Sequence, residues 1–91
     1  MWYVYLAECG DGSLYTGIAV DPRARLKQHN AGTGSAYVRS RGGARLVYVE
    51  RCATQSSALK KEAAVKSWPR AQKLALIRAQ PRGRVARLAA H

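Results

Sequence analysis

With 91 residues and a hydrophobic fraction of 47%, the chain has room for one packed core and not for two, and it is too apolar for a disordered tail. Sixteen Lys and Arg face five acids, a formal charge of +11 with a pI near 10.5; such a field seeks a polyanion, and nucleic acid is the usual one. Cys9 and Cys52 stand far apart with no CxxC spacing, which excludes a structural zinc site on ligand count and reads as two buried thiols in a reducing compartment.

Residues 2–8 (WYVYLAE) are dense in β-formers, Cys9-Gly10-Asp11-Gly12 is a turn, and residues 13–20 (SLYTGIAV) form a second strand, so the chain opens on a hairpin. Asp21-Pro22 starts a helix, with Asp at the N-cap and Pro in the first turn, and Ala31-Gly32 can stop it after Asn30. Residues 32–43 (GTGSAYVRSRGG) make a basic connection with room for one short helical turn. Residues 45–51 (RLVYVER) read as a third strand, apolar enough for the centre of a small sheet. Thr54 caps a helix over residues 55–67, which Pro69 interrupts by removing an amide donor and restricting Trp68. A last helix spans residues 70–79, with Leu74 and Ile77 as its buried pair, and residues 80–91 are a flexible basic tail. The expected fold is a small single α/β domain over residues 1–79, in the order ββαβαα, a three-stranded sheet with flanking helices. No stretch approaches a membrane span and no signal-peptide n-region is present, so a cytoplasmic protein without membrane association, monomeric by default, is expected.

Five Tyr and no Phe suggest that some positions want the hydroxyl as well as the ring. Tyr5 and Tyr15 fall on opposite strands of the hairpin, and an odd connection such as Gly10-Asp11-Gly12 puts both on one face. The same pair would suit ordinary aromatic packing. Arg25 and His29 lie four apart on the first helix and share a face, either a fork for phosphate beside a proton carrier or a solvated surface. Glu62 falls between Leu59 and Val65 on the arc of its helix expected to face the core. It is the one acid among ten basic residues over residues 51–91. A carboxylate there needs a cation, and either Lys66 one turn on or a bound divalent ion supplies it.

Tyr3-Val4-Tyr5, Tyr15-Thr16-Gly17, Arg25, His29 and Glu62 in ALKKEAAVKSW resemble, in order and spacing, the successive motifs of the GIY-YIG nuclease superfamily. From WYVYL to KSWPRAQKLALI the chain resembles the short single-domain bacterial members. The resemblance implies an endonuclease that hydrolyses phosphodiester bonds of nucleic acid, with DNA favoured over RNA and the choice between them left open, and with one Mg²⁺ or Mn²⁺. In that pattern Tyr5 and Tyr15 match the two motif tyrosines, Arg25 the catalytic arginine, His29 a histidine found in part of the family, and Glu62 the metal-binding glutamate. Gly17 matches the glycine that lets a phosphate approach the backbone, and Lys27, Arg39, Arg41, Lys66 and Arg70 are expected to follow phosphates. Tyr15 would take the proton from water with Tyr5 orienting it, His29 being the rival base, while Arg25 clamps the phosphate. The departures are Tyr3-Val4-Tyr5 for Gly-Ile-Tyr and Thr16 for Ile. The competing reading is a non-catalytic nucleic-acid-binding module, RNA- or ribosome-associated, which the charge supports equally but which does not call for this set of residues.

Overall fold

A computed structural model describes residues 1–31 and 42–80. Strands β1 (Trp2–Cys9) and β2 (Leu14–Ala19) precede helix α1 (Pro22–Asn30); strand β3 (Ala44–Cys52) and helices α2 (Gln55–Lys66) and α3 (Arg70–Ala79) follow. The fold is therefore α/β in the expected order ββαβαα. The expected helical turn within residues 32–43, the candidates Arg39 and Arg41, and all of the basic tail past Gln80 lie outside the described residues. No described helix is long and apolar enough to cross a membrane.

The sheet is antiparallel with strand order β2-β1-β3. The expectation that the third strand is central is thus corrected: β1 holds the centre and β3 an edge. The reason lies in the side chains. Val4, Tyr5, Leu6 and Ala7 are buried in succession, as a strand covered on both faces requires, whereas β3 carries Arg45, Glu50 and Arg51, charges that suit an edge.

The β1–β2 turn is a three-residue loop closed by Gly12 N–H to the Cys9 carbonyl (2.9 Å) and Cys9 N–H to the Ser13 carbonyl (2.8 Å). Gly12 sits at φ 86°, the left-handed position such loops need. Asp11 accepts from the Ser13 amide (3.0 Å) and hydroxyl (2.6 Å). Because the loop is odd, Tyr5 pairs with Gly17 and Ala7 with Tyr15, so odd-numbered residues of both strands share a face.

Between β1 and β3 the register slips at Leu6/Ala7: Leu6 faces Tyr48, Ala7 faces Leu46, and Val47 has no counterpart. This bulge swaps the alternation of the first half of β3 and turns Ala44 and Leu46 toward α1. One face of the sheet then packs Tyr5, Ala7, Ala19 and Val49 against Leu26 of α1. The other packs Leu6 and Tyr48 against Val65, Trp68, Leu76 and Ile77. Leu76, not the expected Leu74, thus partners Ile77. α3 docks by the side that also brings the Gln80 amide to the Val47 carbonyl at the bulge (2.5 Å).

Both helix starts follow from local chemistry. Asp21 accepts from the Ala24 amide (3.2 Å), and Thr54 and Ser57 form a reciprocal capping box (3.1 and 3.3 Å). Both cysteines are free, Cys9 buried but Cys52 only half-buried, because Cys52 closes the edge strand.

Candidate active site

Tyr5 is the hinge of the site. Its ring lies across the strand pair onto Gly17: a Cβ there would stand 2.6 Å from the phenol oxygen and 2.7 Å from Cζ. Glycine is needed at position 17 so that Tyr5 can lie flat on β2, a packing duty distinct from the phosphate approach expected of it. Tyr15, diagonal across the same face, has its ring centroid 6.3 Å from that of Tyr5. His29 meets Tyr15 edge-on, with centroids 5.5 Å apart and planes at 88°.

Burial sets the chemistry of these groups. Tyr5 is 1% exposed, and this desolvation pushes its pKa well above the ordinary tyrosine value. The neighbouring Tyr15 raises it further, Arg25 pulls it back, and Glu62 raises it. One phenol thus feels groups from β2, α1 and α2, so these side chains share one electrostatic neighbourhood. His29 is 4% exposed, and burial, then the Arg25 charge, lowers its pKa. It is therefore neutral at neutral pH, and among the described residues its buried Nδ1 has no hydrogen-bond partner.

Glu62 corrects one detail of the sequence reading. Leu59 is 46% exposed, and the inward face of α2 is set by Ala58 and Val65 instead. Residues 58, 62 and 65 are spaced i, i+4, i+7, so Glu62 stays on the inner arc with its neighbour exchanged. Its side chain is 18% exposed and pairs with Lys66 Nζ at 3.5 Å. Among the described residues no three His, Cys, Asp or Glu side chains cluster as a metal cage.

The fold thus gathers Tyr5, Tyr15, Arg25, His29 and Glu62, with Gly17 beneath Tyr5 and Lys66 beside Glu62. Lys27 lies on α1 on the flank away from Arg25 and His29 and borders the β3 side, and Arg70 is exposed at the start of α3. Of the departures in the motifs, Val4 and Thr16 point to the opposite side of the sheet, opposite Ile18 and Leu6 in the pairing, whereas Tyr3, which stands where the motif has Gly, lies on the site face and packs against its core cluster. Sequence reasoning missed Asn30. Its side chain donates to the Ala44 carbonyl (2.9 Å) and accepts from the Ala44 amide (2.7 Å), fastening the end of α1, next to His29, onto β3.

The chain matches the GIY-YIG catalytic domain over residues 1–75, a span that takes in every side chain just gathered. It belongs to the GIY-YIG family. A UPF0213 protein of Staphylococcus aureus strain Mu3 is 47% identical over 76 residues, 84% of this chain and 93% of the relative; one from strain COL aligns equally. The solution NMR structure of a UPF0213 protein from Bacillus halodurans superposes with a TM-score of 0.57 at 40% identity, covering 88% of this GIY-YIG chain and 86% of the other.

Proposed function

We propose that this GIY-YIG domain is an endonuclease that hydrolyses phosphodiester bonds in DNA with the help of one divalent ion. The observation that carries the reading is that the buried Tyr5 phenol packs against Tyr15 and feels the charges of Arg25 and Glu62, groups from three separate elements. A protein that only binds nucleic acid has no need of a half-buried carboxylate in a chain of charge +11.

Glu62 fits a hard cation. It is a single carboxylate, partly shielded from water, and its Lys66 partner has a head 57% exposed, free to turn into solvent. One carboxylate suits Mg²⁺ or Mn²⁺, which keep several waters and borrow substrate oxygens. When bound, such an ion withdraws charge from the phosphoryl and leaving oxygens.

The remaining work falls to the chain's own side chains. Arg25 presents an exposed guanidinium fork to the phosphate and neutralises charge that grows in the transition state. Tyr5, held protonated by burial, donates a hydrogen bond and does not act as a base. Tyr15 accepts the proton of the attacking water as its own hydroxyl proton leaves for a second base. His29, kept neutral and in edge contact with Tyr15, is able to take that proton onward. The cytoplasmic setting is part of the same reading, supported by the two free thiols.

The test is a nicking assay on duplex, branched and single-stranded DNA, with the parent and Glu62→Gln. The parent should cut in Mg²⁺ and stop in a chelator. Glu62→Gln should fold, bind DNA at least as well because a negative charge is gone, and lose at least about 100-fold in rate. Normal cutting by Glu62→Gln would move the metal site elsewhere. A parent that binds every substrate and cuts none would make the protein a binding module.

A further inference from the structure

On the other flank of α1 lies a depression. It is an open groove of about 310 Å³ between α1 and the edge strand β3. Arg23 and Lys27, one helical turn apart, stand on its helical wall, and Arg45 borders it from β3 with its side chain paired to Glu8 at 2.7 Å. Leu26, Ala44 and Leu46 form an apolar floor, the last two turned toward α1 by the bulge at Val47. Arg23 and Lys27 each lie two residues from Arg25 and His29 respectively, about 160° round the helix by the shorter way. α1 thus shows one basic flank to the catalytic group and another to this groove.

We propose that the groove binds an unpaired nucleotide of the substrate strand, beyond the phosphate that is cut. The proposal rests on the nucleic-acid reading above and adds the form of nucleic acid. Cations on the rim attract phosphate. A duplex backbone would need only those cations, since its bases are stacked inside. An apolar floor between them gains only when a base or sugar leaves water for it. The thickness of the intervening helix, about 10–12 Å, corresponds to roughly three steps of a stacked strand. The preferred substrate therefore has an unpaired stretch about three nucleotides from the scissile bond, as at a fork, a flap or a single strand.

The full chain is titrated in a chelator, so that nothing is cut, with a single-stranded oligonucleotide of roughly 12 nucleotides and with the duplex of the same sequence. Lys27→Glu is compared with Lys60→Glu, an equal charge change at an exposed position on α2. Lys27→Glu should weaken single-strand binding about tenfold more than Lys60→Glu, the worth of one charge-assisted contact, while duplex affinity falls alike in both. In the unmutated protein the Leu26 and Leu46 methyl resonances should move with the oligonucleotide and stay still with inorganic triphosphate. Equal losses from the two variants on the single strand, a duplex loss as large as the single-strand one, or stationary methyls would each overturn the proposal. Because no cutting is read, a protein that never cleaves can pass this test and an active nuclease can fail it.

Discussion

Gly17→Ala is a one-methyl perturbation aimed at the contact that positions Tyr5. The added Cβ would meet the phenol oxygen at 2.6 Å, Cζ at 2.7 Å and Cε1 at 3.1 Å. Ordinary contact begins at 3.4 Å, so the ring must retreat by roughly 0.8 Å. A surface tyrosine would swing away at little cost. Tyr5 is buried among Ala7, Ala19, Leu26 and Val49, so its retreat pushes on packed neighbours. Overpacking of this kind costs about 1–3 kcal/mol, which for a domain of this size lowers Tm by roughly 5–20 °C. Gly17 is not among the positive-φ residues, so the backbone accepts alanine and strand propensity even favours it slightly. The clash is therefore the whole effect, and it can be isolated. Tyr5→Leu removes all three clashing atoms; in that background the added methyl should be neutral or mildly stabilising. Urea denaturation of the parent, both single variants and the double variant should give a coupling energy of about 1–3 kcal/mol. Additivity within about 0.5 kcal/mol would refute the idea that glycine is there to seat Tyr5.

Tyr15→Phe keeps the ring against His29 and removes the hydroxyl; stability should stay within about 1 kcal/mol while single-turnover cleavage drops by about 100-fold or more, and undiminished cleavage would pass the base role to His29. Burial, aided by Arg25, holds the His29 pKa below its ordinary value of 6.5, so near and below that pH the unfolded chain binds a proton that the folded one refuses. The stability from neutral His29 is complete above about pH 6.5 and is lost as the pH falls toward the lowered pKa; Tm measured from about pH 8 to about pH 5 should fall less in His29→Gln, and superimposable profiles would contradict the assignment.

How much of this was legible in the sequence depended on how local the cause was. The hairpin and the shared face of Tyr5 and Tyr15 followed from the parity of a three-residue loop, and the helix starts from Asp21-Pro22 and from Thr54, each a cause within a few residues of its effect. The centre of the sheet was misassigned because apolarity of β3 was weighed without its charges; burial of four successive β1 residues decides the order. Leu74 and Leu59 were each placed inward by helical spacing, which fixes which residues share a face but not which face docks. The bulge at Val47, the Asn30 clamp on Ala44 and the seat of Tyr5 on Gly17 join residues 12 to 41 positions apart or depend on register, and no local pattern announces them.

The bulge also explains how so short a chain can keep a basic surface and a packed core on the same face. Had β3 kept a regular register, Arg45 would pair with Cys9 and Val47 with Ala7, and a charge would face α1 across the sheet. One unmatched residue sends Arg45 to the opposite alternation, where it pairs with Glu8 at 2.7 Å and stays 75% exposed. Leu46 and Ala44 take its place against Leu26. Asn30 then ties the same stretch of β3 to the end of α1 through both polar groups of the Ala44 peptide. The flank of α1 that carries Arg25 and His29 depends on this fastening, since His29 precedes Asn30 and its ring must reach Tyr15 on the far strand. β3 is thus an edge strand whose irregularity serves two ends: it completes the core under α1, and it seats the end of α1 from which His29 meets Tyr15.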